Sequence, residues 1–436
     1  MSTETGAVSV RRVTLAIAAA GICSFTLLYA PQPLLPQLAE QYSLDPGRAA
    51  LAISVATGAL AVAVLPLAVL SEIVGRKPII VASVLTSALL GLALPLAPTF
   101  EVFLAIRVLQ GVAIAGFPGV ASAYLAERLG TAGVAAAVGA MIAGNTIGGL
   151  SGRLSVGWTT DALGWHGALA VVGGIGLVCA VVTTVTLPGL PPRARRPKLG
   201  DVGRGLATAV GDRTLLAQYA VALLAMGSFV ALYNVAGFRL TGDLGLSPAI
   251  ASLVFLAYAG GAVASSRAGR LVARLGRVRA ASAGLVLTIA GAALTLPDSV
   301  PLVAAGFVVL TMGFFTAHSV ANGWAAAEAP AAGRGQVGGL YNAFYYLGSS
   351  IGGAIGAYVY GHAGWGGLVA TVSAWLALGV VAVLTTRLRS RTVRPSEHEQ
   401  TAERTTEQGT APEGSDGFGH DRARQQPTAQ WQHGRA

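Results

Sequence analysis

Twelve stretches of this chain are apolar over roughly the 20 residues that a helix needs to cross a bilayer. They lie at approximately 13–38, 49–70, 78–97, 101–125, 133–157, 166–187, 214–238, 249–268, 280–297, 301–325, 336–361 and 366–386. Short connections make neighbouring helices antiparallel, and an even number of spans returns both ends of the chain to one side. The fold class that follows is an all-α membrane protein.

Composition removes the alternatives. Apolar residues make up 53% of the chain and charged residues 11%, too few to cover a water-facing surface. The 58 glycines lie inside the apolar runs, where small residues let helices approach in lipid. A net charge of +10 invites a nucleic-acid reading, but the basic residues gather in alternate loops and in the tail. Membrane topology accounts for that placement, so no nucleic-acid partner is expected. Cys23 and Cys179 fall within apolar spans and read as buried thiols, leaving no metal site, and no cofactor is expected. Arg11 and Arg12 precede an apolar run too long for an export signal, so an uncleaved first helix is expected.

Lys and Arg set the orientation. One set of loops holds Arg76, Lys77, Arg128, the group Arg193, Arg195, Arg196, Lys198, Arg204 and Arg213, then Arg270, Arg274, Arg277, Arg279 and Arg334. The opposite set holds Arg48, with Arg239 at a helix edge. Positive residues stay inside, which places both termini in the cytoplasm. The expected organisation is a cytoplasmic N-terminus (1–12), a six-helix bundle (13–187), a basic linker (188–213), a second six-helix bundle (214–386) and a disordered cytoplasmic tail (387–436).

The two bundles repeat. Gly75 and Arg76 map onto Gly276 and Arg277 at an offset of 201 residues, as does Glu127 onto Glu328. Residues 144–149 map onto 348–353 at 204, and Gly164-Trp165 onto Gly364-Trp365 at 200. Matches in chain order argue for duplication and for two pseudo-symmetric halves.

These residues resemble the major facilitator superfamily across about 13–386. Its loop motif stands here as Ala68, Leu70, Glu72, Gly75, Arg76 and Lys77, with Glu for the usual Asp. The fourth-span pattern stands as Arg107, Gln110 and Gly111. The fifth-span antiporter motif stands as Ala140, Gly144, Asn145, Gly148 and Gly149, with Asn145 in place of a proline. The phrases at 29–36, 144–153 and 341–353 resemble YnfM-type inner-membrane transport proteins, which are grouped with arabinose-efflux-like permeases. The resemblance implies a secondary transporter of drug/proton antiporter type in a bacterial cytoplasmic (inner) membrane.

Candidate residues fall into four groups. A cytoplasmic gate is expected from Glu72, Gly75, Arg76, Lys77 and Glu127, repeated as Gly276, Arg277 and Glu328; Ala273 replaces the acid in the second copy. Simple topogenesis by positive charge is the plainer use of the same residues. Helix sliding is expected at Gly144, Gly148 and Gly152 and at Gly348, Gly352 and Gly356, with close packing as most of that role.

Charge handling falls to Arg107, Glu40 and His318. Arg107 lies roughly 7–8 Å inside its span, where a charge is costly, and either faces a cavity or snorkels to the headgroups. His318 is open to a packing or a titrating role, while Arg153, nearer the outer surface, reads as structural. A polar cavity lining is expected from Tyr29, Gln32, Gln110, Asn145, Asn234, Tyr258, Asn322, Asn342, Tyr345 and Tyr346.

Outside the tail every acid falls in a loop, a terminus or a helix end. Moving a positive charge outward against 100 mV costs about 2.3 kcal/mol, whereas an anion leaves downhill. The expected function is therefore proton-coupled export of a small neutral or anionic organic solute by a monomer in the lipid bilayer. Uptake by the same fold stays open. No metalloprotease, hydrolase or phosphate-loop motif is present, so neither an enzyme nor an ATP-driven pump is expected.

Overall fold

The computed structural model describes residues 10–190, 199–330 and 333–392, and nearly all of these are helical. In order they form α1 (Val10–Tyr29), α2 (Leu35–Gln41), α3 (Pro46–Val74), α4 (Arg76–Ala93), α5 (Phe100–Ala115), α6 (Ala121–Thr186), α7 (Leu199–Gly211), α8 (Arg213–Gly237), α9 (Pro248–Ser252), α10 (Ala257–Leu275), α11 (Arg277–Leu294), α12 (Val300–Glu328) and α13 (Arg334–Thr392). The bundle occupies the first of two compact units, Met1–Leu388; the second, Arg389–Ala436, is described only through Thr392 at the end of α13.

Local sequence sets the helix starts. Asp45 accepts from the Arg48 backbone N–H ahead of Pro46, and Thr99 caps α5 through the Val102 N–H. Asp212 caps α8 through the N–H groups of Thr214 and Leu215.

Among the described residues nine helical segments are long and apolar enough to span by themselves. Two of them, within Ala137–Thr186 and Arg334–Thr386, hold two spans each. Gly164 (φ 65°) breaks the first and Gly364 (φ 64°) the second, in the left-handed region that glycine enters without steric cost. The chain reverses at Gly164: Gly144 packs on Ala18, and Thr183 returns to donate to the Ala16 carbonyl. The expected fourth span is shared between α5 and the first turns of α6, separated by residues 116–120. Twelve passages result.

Both copies of the Gly-Arg hairpin fold alike. A single glycine, Gly75 (φ 107°) between α3 and α4 and Gly276 (φ 78°) between α10 and α11, is all that separates the helices. The Gly-Trp turns also match, since Trp165 and Trp365 are both buried. Trp365 Nε1 donates to Thr295 Oγ1 at 2.8 Å, and Trp165 lies edge-on to Phe103.

The two glycine stripes pack in one register. On α6, Gly144, Gly148 and Gly152 face the backbones of Ala18, Ile22 and Thr26 of α1; an added Cβ at Gly148 would stand 2.6 Å from the Ile22 carbonyl oxygen. On α13, Gly348, Gly352 and Gly356 face Leu223, Gly227 and Ala231 of α8. Numbers rise together on both partners, so each pair of helices runs parallel. A third close approach, of Gly284 and Gly291 on α11 to Gly313 and Leu310 on α12, has no equivalent among the sequence expectations.

The outward faces carry exposed Val62, Leu89, Leu96, Val178 and Val185, a surface suited to lipid and not to water. Within the expected linker 188–213, α7 is helical and its Gly205 lies against Gln336. The N-terminal residues through 9, the basic residues Arg193, Arg195, Arg196 and Lys198, and the expected tail beyond 392 lie outside the described residues.

Candidate functional site

Each hairpin brings its arginine to the end of a helix in its own half. Arg76, 8% exposed, donates from Nε to Glu127 Oε2 and from Nη2 to Glu72 Oε1, both at 2.8 Å. Arg277 reaches Glu328 at 3.0 Å with both side chains about 40% exposed (43% and 41%), and Glu328 also accepts from Trp324 Nε1. The second copy is looser because Ala273 supplies no second carboxylate. Neither pair bridges the two halves: each fastens the hairpin of one half to the fourth span of that same half. A latch drawn directly across the halves is therefore not what these pairs form. Lys77 is half-buried beside the first pair.

Arg107 does not face a cavity. It is fully buried and donates to the carbonyls of Ala52 (2.7 Å), Leu27 (3.1 Å) and Leu28 (2.6 Å) and to Gln110 Oε1. Gln110 continues the chain by donating to the Ser87 carbonyl. Arg107 and Gln110 thus tie α1, α3 and α4 to α5 inside one half. Gly111, the third member of that motif, lies on the Ala56 carbonyl and lets the helices meet.

The seam between the halves is built around a different arginine. Arg153 of α6, 2% exposed, donates from Nε to Gln32 Oε1 at 2.6 Å, from Nη1 to the Gly149 carbonyl at 2.7 Å and from Nη2 to Tyr258 Oη at 3.2 Å. Its guanidinium carbon lies 4.3 Å from the Tyr29 ring centre, 4.8 Å from that of Tyr258 and 5.1 Å from that of Phe255. Gln32 then donates to Asn234 Oδ1 at 2.7 Å. Farther along, Ser350 donates to the Ser54 carbonyl at 2.7 Å. Three bonds among the described residues (Arg153–Tyr258, Gln32–Asn234 and Ser350–Ser54) link the halves, and all lie in the part of the spans away from the Gly-Arg hairpins.

Arg153, read from sequence as structural, is thus the central charge of the seam. Phe255 and the unpartnered hydroxyl of Ser54 were likewise missed. One signal pointed to Arg153: the repeat carries the glycine stripe into both halves, but the position matching Arg153 is Ala357. A charge kept in one half only marks a task that the other half does not share.

The remaining candidates divide. Tyr29, Gln32, Asn234 and Tyr258 meet at the seam. His318 lies deeper in the second half, with Nδ1 3.0 Å from Tyr341 Oη and its ring stacked on Phe314 and beside Tyr345. Tyr345 touches Tyr346 edge-on, and Asn342 is half-buried on the same helix. Asn145, half-buried, has its side chain against Gly21 in the α1–α6 contact, apart from the seam bonds, and its Oδ1 has no partner. Gln110 is committed to Arg107, Asn322 is exposed, and Glu40 is exposed in the last turn of α2, away from the seam cluster. The described carboxylates outside α7 sit at helix ends or in loops. Among the described residues no cluster of metal-ligating side chains occurs.

Residues 17–241 and 219–433 each match the Major Facilitator Superfamily profile, so two overlapping matches cover almost the whole chain. The chain is 36% identical to the uncharacterized MFS-type transporter YybF of Bacillus subtilis (strain 168), over 83% of this chain and 90% of that protein. It is 37% identical to the inner membrane transport protein YnfM of Escherichia coli (strain K12), over 87% and 91%. The fold is similar to that of a bacterial homolog of the human lysosomal transporter Spinster in an inward-facing, unoccupied conformation, with a TM-score of 0.72, 16% identity and coverage of 87% and 99%. The duplicated six-helix architecture and the relatives agree: this chain is a transport protein of the Major Facilitator Superfamily.

Proposed function

We propose that this transporter exports a small neutral or anionic organic solute from a bacterial cytoplasm by alternating access, in exchange for protons. The observation that carries the reading is the seam. A buried arginine lies between the halves with no described carboxylate in ion-pair reach, and the described acids of the spans stay at their ends. A lipophilic cation would meet an uncompensated positive charge there, whereas an anion would meet its counter-charge.

The cycle uses the parts as follows. The hairpins lie in the cytoplasm with both termini, in keeping with positive charge inside. Seam bonds among Arg153, Tyr258, Gln32 and Asn234 hold the outer side closed while solute enters from the cytoplasm. Opening outward breaks these bonds and brings the hairpin ends together. The Arg76–Glu127 and Arg277–Glu328 pairs keep each hairpin end rigid, so that each half turns as one body. The parallel glycine contacts of α1 with α6 and α8 with α13 give surfaces that shift without side-chain rearrangement. His318 and the acids at helix ends, Glu127 among them, are the groups available to carry the coupled proton. A single chain provides both halves, which suits a monomer.

Reconstitution of the purified protein into liposomes with a compound panel, recording solute, proton and charge movement together, tests this. Solute efflux with proton influx and no preference for cations is expected. Robust electrogenic export of a lipophilic cation overturns the substrate assignment, and solute uptake with the proton overturns the direction.

A further inference from the structure

Arg153 is a buried full charge whose three described hydrogen bonds all go to neutral acceptors: the Gln32 amide, the Gly149 carbonyl and the Tyr258 hydroxyl. Ions withdrawn from water are ordinarily paired with an opposite charge, because desolvation is otherwise uncompensated. The structural arginines of this chain do not share its position. Arg76, Arg239 and Arg277 have carboxylates, and Arg107 is surrounded by four acceptors within one half. Arg153 alone among these five lies on the surface that the two halves share.

Three further observations describe what would complete it. A guanidinium has five N–H groups, and the three bonds leave one on each Nη nitrogen. Aromatic faces of Tyr29, Tyr258 and Phe255 surround the carbon at 4.3–5.1 Å and offer flat apolar contact beside the charge. From the opposite half Asn234, fully buried, presents an amide Nδ2 with no acceptor. That amide is held to Arg153 through Gln32, and the absent side chain of Gly353 leaves it its place: an added Cβ there would stand 2.7 Å from Nδ2. A forked cation, an orphaned donor and aromatic walls form a set that suits a planar oxyanion attached to an apolar body. Among the described residues no second basic side chain is hydrogen-bonded into this cluster, and Arg107, near Tyr29, spends its donors on carbonyls of its own half, so a dianion would be less well matched than a monoanion.

We infer that Arg153 is the anion-recognition residue of this transporter, and that its solute carries one carboxylate next to a flat apolar or aromatic group. The carboxylate takes the free Nη donors and the Asn234 amide, and the apolar body lies against Tyr29 and Tyr258. Because Arg153 belongs to one half and Asn234 to the other, the carboxylate bridges the seam. The inference deepens the export reading: it relies on that reading for what becomes of the solute, but not for binding.

Full-length purified protein and matched probes test it: benzoate, its neutral amide benzamide, benzylamine and phenyl phosphate, each titrated while the thermal unfolding midpoint is followed. Benzoate is expected to raise the midpoint at a half-saturating concentration at least about tenfold below that of benzamide, benzylamine to have no effect, and phenyl phosphate to be weaker than benzoate. Arg153→Gln should erase the benzoate–benzamide difference, while Arg153→Lys should keep the preference at lower affinity. Gln32→Glu places a resident carboxylate beside Arg153; it should raise the midpoint without ligand and abolish the benzoate response. This variant keeps the test decisive if Arg153→Gln does not fold. Equal responses to benzoate and benzamide, no response to any probe, a preference that survives Arg153→Gln, or a Gln32→Glu protein no more stable than wild type overturns the assignment. A stronger response to phenyl phosphate overturns the carboxylate in favour of a phosphate monoester. In liposomes, flux of solutes that is blind to Arg153 defeats this inference and leaves transport standing; carboxylate binding without any flux does the reverse.

Discussion

Arg76 and Glu127 stand 51 positions apart in the chain and 2.8 Å apart in space, and Arg277 and Glu328 repeat the same spacing at 3.0 Å. Equal spacing with unequal burial turns one motif into two different fasteners. The first sets a nearly buried arginine between two carboxylates, the second is an exposed pair.

Double-mutant cycles should separate them. Coupling between Arg277 and Glu328 is expected at about 0.2–1 kcal/mol, the range of exposed pairs. Coupling between Arg76 and Glu127 is expected at about 1.5–3 kcal/mol, as for charged hydrogen bonds shielded from water. Charge reversal of both partners should restore stability more completely for Arg277–Glu328, because a glutamate at position 76 would also face Glu72. Thermal unfolding of the purified variants measures both quantities.

The glycine stripes predict loss of transport without loss of insertion. Gly148→Leu and Gly352→Leu place side chains into the backbones of Ile22 and Gly227, an overpacking cost of about 1–3 kcal/mol. Both should reach the membrane at reduced stability and fail in solute flux. Gly139→Ala, where an added Cβ meets nothing within 4 Å, should leave flux unchanged. Equal flux in all three would remove the sliding contact from the cycle.

Gly164→Ala and Gly364→Ala isolate a backbone effect. Neither position has an atom within 4 Å of an added Cβ, yet both hold a left-handed φ. Each substitution should cost about 1–2 kcal/mol, the two should add, since they lie in different halves, and asparagine should be milder than alanine at both. Unfolding midpoints of the single and double variants report the result.

Arg107 should behave as a strut. Arg107→Lys keeps the charge but cannot reach three carbonyls at once, leaving buried acceptors that cost about 1–3 kcal/mol each. A lowered unfolding midpoint is expected, with the pH profile of any remaining flux unchanged. A shifted pH profile at wild-type stability would instead make Arg107 part of proton transfer.

Much of this architecture was legible in the chain. Apolar run length gave the spans, and the recurrence of Gly75-Arg76 and Gly164-Trp165 gave the two halves, because each marks a turn that only glycine makes easily. The ion-pair partners Glu127 and Glu328 were found for the same reason: duplication keeps spacing. The centre was harder to read. Arg107 and Arg153 are both arginines within apolar spans, and periodicity does not say which one points at its own bundle and which at the opposite half. That depends on the rotation of α5 and α6 about their axes, fixed by Gly111 on Ala56 and by Gly152 on Thr26. Asn145 misled for a related reason, since a polar side chain in a glycine stripe faces the partner helix and not an opening.

The seam holds two neutral hydrogen bonds, Gln32–Asn234 and Ser350–Ser54, and one from a charged donor, Arg153–Tyr258. At about 1 kcal/mol for each neutral bond and 1.5–3 for the charged one, they total roughly 3.5–5 kcal/mol. A micromolar solute brings about 8 kcal/mol of binding free energy. Parting these contacts thus asks of a solute only that it favour the parted arrangement by about half of such a binding free energy, a demand met by differential affinity without any fuel that the protein must split.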